Sequence, residues 1–267
     1  MLSKPAFFVY TPVQRFMAKI VVFANQKGGV GKTTSCVNIG AYLAAAGKRV
    51  LLVDFDPQGN LTSSLGQNAE GHNIYDVISG KTPLISAVRS TSVDRLSVVA
   101  SNINLTGASV ELVNAEDREY FLKNAIAGDR AQWDYILIDC PPSLGILTVN
   151  GLAAADYVMI PLQCEYFALE GLSQLLRTIQ MVQRGINPGL KIAGIFFTMY
   201  DSRTRLAKEV VEEATSYFKD RVFRTIVPRN VRLSEAPSYS VPIVGYDPEC
   251  IGAISYKRLA EEVMNRV

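Results

Sequence analysis

The stretch Asn25-Gln-Lys-Gly-Gly-Val-Gly-Lys-Thr-Thr34 follows directly on the apolar run Lys19-Ile-Val-Val-Phe-Ala24. A strand that ends in a glycine-rich loop and passes into a helix is the arrangement that cradles phosphate; its ordinary form reads G-x-x-x-x-G-K-[ST]. Gly31, Lys32 and Thr33 fill the last three positions, whereas Gln26 stands at the first glycine position. Gly28, Gly29 and Gly31, with Val30 between them, can take positive φ and let backbone N–H groups close on phosphate oxygens. The helix expected to start near Thr33, with Thr34 in its first turn, aims its dipole and free N–H groups at the same anion. Lys32 is placed to reach the β- and γ-phosphates and the Thr33 hydroxyl to ligand Mg²⁺. Lys27 is one cation more than a single such loop needs, and a surplus cation beside a triphosphate points to a dimer.

Outward from this loop, short apolar runs alternate with amphipathic stretches. Strands are expected over 20–24, 50–54, 96–99, 135–139, 157–161, 192–198 and 225–227. Most are continuous apolar runs, as parallel strands buried on both faces should be. Helices are expected over 33–46, 107–127, 144–155, 169–184, 203–218 and 254–267, with Gly47 as the stop of the first. The pattern implies an α/β fold: one doubly wound, mostly parallel sheet with helices on both faces, its ligands gathered beyond the carboxyl ends of the strands.

Two further strand ends carry acid. The second expected strand runs into Asp54-Phe-Asp56-Pro-Gln-Gly-Asn60, and the fourth ends at Asp139 before Cys140-Pro-Pro142. Carboxylates two residues apart on a strand point the same way, so Asp54 and Asp56 read as a pair serving a metal or a water. Asp139, after four apolar residues, reads as the Mg²⁺-associated carboxylate of such enzymes. Pro141 and Pro142 stiffen the loop where a γ-phosphate sensor belongs.

Composition sets the outer limits. The chain has 267 residues, 48% of them hydrophobic, and a net charge of +2. Any surface for a polyanion must therefore be local. Cys36, Cys140, Cys164 and Cys250 are scattered without a C-x-x-C, which suits buried thiols rather than a disulfide frame or zinc site. The single histidine, His72, lies in a polar stretch and reads as a surface residue. No apolar run approaches the ~18 residues of a membrane span. Residues 1–16, with two prolines and no acid, read as a short flexible extension before a single domain over 17–267.

The motifs together resemble the ParA/Soj family of chromosome- and plasmid-partitioning ATPases, within the deviant P-loop NTPase group that includes MinD. The segments that carry the resemblance are KGGVGKTT from Lys27, LLVDFDPQGN from Leu51, YILIDCPPS from Tyr135, PLQCEYFALEG from Pro161, TMYDSRT from Thr198 and VPRNVRLSEAPS from Val227. They cover nearly everything from Met17 onward. The resemblance implies ATP and Mg²⁺ as cofactors and a nucleotide-sandwich homodimer in which Lys27 reaches the partner's phosphates. It makes Lys32 the cis cation and Thr33 a Mg²⁺ ligand. Asp56 becomes the catalytic carboxylate near water and metal, and Asp139 the support of Mg²⁺. Pro228 and Asn230 are implied at adenine.

The same resemblance implies ATP-dependent, sequence-independent binding of double-stranded DNA and a ParB-like partner that stimulates hydrolysis. It places the protein in the cytoplasm on the nucleoid. Between Arg203 and Arg232 lie eight Lys/Arg against four Asp/Glu, a local excess that suits phosphate backbones. Arg203, Arg205, Arg229 and Arg232 are the DNA-contact candidates. Two rival readings remain. A MinD-like regulator of division-site placement needs a C-terminal amphipathic anchor, and the end of this chain is mixed in charge and is expected to pack on the body, without a membrane contact. A nitrogenase-reductase-like electron carrier needs paired cluster-ligating cysteines, and Cys140 has no companion at ligand spacing. Plasmid-type relatives carry a helix-turn-helix domain before the core, whereas sixteen residues precede it here, which favours the chromosomal Soj-like branch.

Overall fold

The computed structural model describes residues 17–111 and 114–267, so the expectation for the N-terminal extension lies outside the described residues. The strands are β1 (Lys19–Phe23), β2 (Val50–Asp54), β3 (Val88–Ser90), β4 (Leu96–Val99), β5 (Tyr135–Asp139), β6 (Tyr157–Gln163) and β7 (Lys191–Thr198). They form one sheet in the order β3-β4-β2-β5-β1-β6-β7. Every pairing is parallel except that of β3 with β4. β2 and β5 are buried at every residue, as the continuous runs VLLV and YILI require of central strands.

Alternation along each strand divides the core in two. Ile20 and Val22 of β1 face a cluster with Leu147, Leu152, Leu172 and Leu175 from the helices Ile146–Ala154 and Ala168–Gly185. Val21 and Phe23 face the opposite cluster, with Ile39 and Leu43 of the helix Lys32–Ala45 and Leu259 and Val263 of the C-terminal helix Ile251–Arg266. The Lys32–Ala45 helix is buried nearly all round because the sheet lies on one side and the C-terminal helix on the other. Gly40 permits this closeness, since a Cβ there would sit 2.7 Å from Leu52 Cδ2. Gly47, at φ +84°, ends that helix as expected.

Two expectations are corrected, and one strand was unforeseen. The helix expected over 107–127 is two, Leu105–Glu111 and Phe121–Ala127. Asp117 turns the chain left-handed (φ +54°) between them. Asn150 then fixes the turn from the side: its Nδ2 donates to the Arg118 carbonyl (2.8 Å) and its Oδ1 accepts from the Leu122 N–H (3.2 Å). The strand expected over 225–227 does not form, although this segment runs along β7 with isolated bridges. The Phe223 and Val227 N–H groups donate to Ile195 and Phe197 carbonyls, but those of Arg224 and Thr225 donate to the Glu262 carboxylate instead. A side-chain acceptor thus interrupts the ladder. β3 was not expected; its three residues carry too little apolar pattern to announce an antiparallel edge.

The Ile146–Ala154 helix touches the sheet at Gly151, where a Cβ would lie 2.6 Å from Cys140 Sγ and 3.1 Å from Val22 Cγ2. Gly151→Ala should therefore lower stability by roughly 1–3 kcal/mol, read as a shift of the urea midpoint, and adding Cys140→Ala should recover much of the loss.

Candidate active site

β1 ends at the point where the order of connections reverses, with β5 on one side and β6 on the other. A crevice at such a switch point is where α/β sheets bind ligands. The loop that leaves β1 is rigid by construction. Asn25 Nδ2 donates to the Pro161 carbonyl (2.7 Å), and Asn25 Oδ1 accepts from the Lys27 N–H (3.0 Å). Gly29 and Gly31 adopt φ of +72° and +82°. Gly28 does not; it lies against Pro142, 3.7 Å from the place of an added Cβ. Gly31 is the N-cap of the Lys32–Ala45 helix and no side chain caps it, which leaves the first-turn amides for an anion.

A cavity of about 610 Å³ opens over this helix start. Gly28, Gly29, Gly31, Lys32, Thr33 and Thr34 form its phosphate-side wall. Asp56 enters from the end of β2, and Pro228, Arg229 and Asn230 enter from the segment after β7. The Val30 side chain is buried in the body, and its carbonyl accepts from Thr198 Oγ1 at 2.8 Å. Thr198 was missed in the sequence, although it ends β7 immediately beyond an apolar run. Asn38 was also missed: it donates to the Thr34 carbonyl (2.8 Å) and accepts from the Ile243 N–H (2.7 Å), tying the C-terminal region to the P-loop helix. A lone amide among Cys36, Val37 and Ile39 was the available signal.

The electrostatics converge on Asp139, at the end of β5 and 1% exposed. Its Oδ2 accepts from Thr33 Oγ1 at 2.6 Å, and its Oδ1 has no hydrogen-bond partner. Burial, reinforced by the negative charges of Asp54 and Asp56, pushes its carboxyl up to about 8 against the opposing pull of Thr33 and Lys32. Lys32 is buried as well, and its Nζ donates to the Lys27 carbonyl at 3.2 Å. Desolvation lowers the Lys32 pKa, and Asp139 is the first of the groups that restrain the shift. Buried carboxylates here outnumber the one buried cation, and a carboxylate oxygen without a donor needs a cation or water. Thr33 and Asp139 therefore fit Mg²⁺, which commonly takes one or two protein oxygens and completes its shell with phosphate and water. Among the described residues no group of three or more His, Cys, Asp or Glu stands together as metal ligands.

Asp54 and Asp56 do not act as a pair. Asp54 turns into the body: its Oδ2 accepts from the Thr62 N–H (2.8 Å) and hydroxyl (2.6 Å), and its Oδ1 from the Asp56 N–H (3.2 Å). Burial pushes its carboxyl up to about 6 despite these bonds. Asp54 thus anchors the Asn60–Ser64 helix, and Asp56 alone faces the cavity, with Oδ1 accepting from the Gln58 N–H at 3.0 Å.

The remaining candidates lie apart. Lys27 does not line the cavity; its ammonium pairs with Glu165, beyond the end of β6. Glu165 was not singled out in the sequence. Asn230 lines the cavity, and its Oδ1 is buried without a hydrogen-bond partner. Arg203 and Arg205 are highly exposed at the start of the helix Arg205–Phe218, each paired with a local acid, Asp201 and Glu209 respectively. Arg232 shares Glu235 (3.0 Å) and Asp247 (3.4 Å). The C-terminal helix buries Tyr256, Leu259, Ala260 and Val263 on the body, as expected. No helix among the described residues is long and apolar enough to cross a membrane.

The AAA-domain family profile matches residues 18–192. The chain is 60% identical over 250 residues to the chromosome-partitioning ATPase Soj of Treponema pallidum, covering 94% of this chain and 98% of that one. It is 53% identical over 249 residues to the sporulation initiation inhibitor protein Soj of Bacillus subtilis, covering 92% and 98%. Among solved structures it is similar to the cobyrinic acid a,c-diamide synthase of Mycobacterium smegmatis with bound ATP analogue and magnesium, at 39% identity and a TM-score of 0.82 over 93% of this chain and 95% of that one. Likeness of this extent, over the same residues that build the phosphate loop and its acidic neighbours, makes the chain a member of the ParA/Soj family of chromosome-partitioning ATPases.

Proposed function

We propose that this protein is an ATP-dependent partitioning switch: a homodimer formed around ATP binds DNA without sequence preference, and a ParB-like partner stimulates hydrolysis and release. The observation that carries the ATPase reading is the Thr33–Asp139 hydrogen bond at the head of the phosphate loop, with a second, unpartnered carboxylate oxygen behind it. Mg²⁺ bound with ATP would supply charge neutralisation at the phosphates, and Thr33 and Asp139 would hold it. Lys32 and the amides of Gly28 to Thr34 bind the phosphates, and because Lys32 is buried its attraction to them is little screened by solvent.

Asp56 sits where a water could be aligned, fixed by the Gln58 N–H. It need not be a strong base, because phosphoryl transfer depends chiefly on positioning and charge stabilisation. Pro228 and Asn230 supply the base-side wall, the Asn230 oxygen accepting from an exocyclic amine. Residues 17–267 work as one ATPase domain. Lys27 acts on the nucleotide of the second subunit, offsetting the charge of two triphosphates brought together. Arg203, Arg205, Arg229 and Arg232 form a basic surface that dimerisation doubles, which makes DNA retention ATP-dependent without new chemistry. The local acids beside Arg203, Arg205 and Arg232 keep a single copy's hold weak. On this proposal the protein works in the cytoplasm, on the nucleoid. The buried apolar face of the C-terminal helix favours this reading over membrane attachment.

The deciding experiment is DNA retention with ATP, ADP or no nucleotide, with and without the ParB-like protein. Retention should appear with ATP alone, fall steeply with salt and collapse when the partner is added; equal retention in all nucleotide states would overturn the reading. Arg205→Glu and Arg232→Glu should weaken retention while leaving nucleotide titrations unchanged. Lys32→Ala should lose nucleotide binding, measured with a fluorescent ATP analogue. Asp56→Ala should keep the ATP-loaded dimer on DNA while partner-stimulated phosphate release drops about 100-fold or more.

A further inference from the structure

We propose that Glu165 is a positioning residue for Lys27: in a lone subunit its carboxylate holds the Lys27 ammonium in cis, and the cation becomes available to a second copy only when this pair opens. The inference rests on the reading above, in which Lys27 serves the partner's nucleotide. Its ground is where Lys27 is found. The ammonium lies on Glu165, outside the wall of its own cavity, while both side chains keep substantial exposure (40% and 46%). A pair this exposed is weak enough to exchange partners.

Only the side chain has to move. The Lys27 N–H is held by Asn25 Oδ1 and its carbonyl by Lys32 Nζ. Beside it, Gln26 Nε2 donates to Gln174 Oε1 at 2.9 Å, lying across Gly171 of the Ala168–Gly185 helix. The loop backbone is therefore fixed on both sides, and four methylenes carry the charge between two positions. Glu165 is held from its own side: its N–H donates to the Gln163 carbonyl and its carbonyl accepts from the Ala168 N–H, both at 2.9 Å. The backbone on the acceptor's side is thus fixed as well.

The next two residues give the pair its context. Tyr166 and Phe167 are 77% and 66% exposed and pack edge to face, with ring centroids 4.9 Å apart. Two large rings in water beside a half-exposed ion pair form a surface that a second copy would cover. Approach of that copy desolvates the Lys27–Glu165 pair and offers the ammonium a polyphosphate in exchange for one carboxylate. Glu165 thus sets a threshold: the lysine leaves its carboxylate for a nucleotide-loaded partner and stays for an empty one.

The test is the protein concentration at which the full chain dimerises with a non-hydrolysable ATP analogue and Mg²⁺, followed by sedimentation velocity. Glu165→Gln should dimerise at about tenfold lower concentration, because two exposed pairs no longer have to open. Glu165→Asp, which keeps the charge, should stay close to wild type. The difference between wild type and Glu165→Gln should shrink as NaCl rises from about 50 mM to about 300 mM. Lys27→Gln and Lys27→Gln/Glu165→Gln should both fail to dimerise, so that removing Glu165 has no effect once its lysine is gone. If wild type dimerises and Glu165→Gln does so at the same or a higher concentration, the positioning role is overturned and the dimer reading stands. If wild type stays monomeric with the analogue, both fall.

Discussion

A carboxylate buried at the end of a central strand, with one oxygen satisfied and the other not, organises the whole upper edge of this molecule. Asp139 is fixed by β5, the strand that pairs with both β1 and β2, so its position is set by the sheet itself. The Thr33 hydroxyl reaches it at 2.6 Å only because the phosphate loop turns back over the strand ends through Gly29 and Gly31. Lys32 is drawn in beside it at the cost of its own hydration. The cluster is an arrangement under electrostatic tension that a bound cation relieves.

How much of this could be read in advance depended on whether the controlling interaction was local. The phosphate loop, the carboxylates of Asp56 and Asp139 and the central strands lie in runs of five to ten residues whose pattern carries the information. The Asp54–Asp56 pair failed as an expectation because alternation describes a strand, and Asp56 already lies beyond the end of β2. Its backbone has turned, and Thr62, eight residues on from Asp54, decides where the first carboxylate goes. The missing strand at 225–227 failed for a longer-range reason. Glu262, in the last helix, takes the amides a ladder would have used.

The residues that escaped notice share this property. Thr198, Asn38 and Glu165 act through partners 168, 205 and 138 positions away. Thr198 and Glu165 become legible only when the sheet brings β6 and β7 beside the loop of β1, and Asn38 only when the C-terminal region packs on the phosphate-loop helix. Family resemblance located the segment that contains Glu165 but attached no role to it, because the pairing with Lys27 belongs to the folded surface.

The end of β7 is the hinge on which two walls of the cavity hang. Thr198 grips the phosphate loop through the Val30 carbonyl, and two residues later the Tyr200 carbonyl accepts from the Arg229 N–H at 3.0 Å, beside the bridge to Pro228. The phosphate loop and the Pro228–Asn230 wall are thus fastened to one short piece of chain, and the segment bridged to it at Pro228 continues through Arg229 to Arg232. A displacement of that piece would carry the phosphate loop and the Pro228–Asn230 wall with it, so the two sides of the cavity keep their spacing.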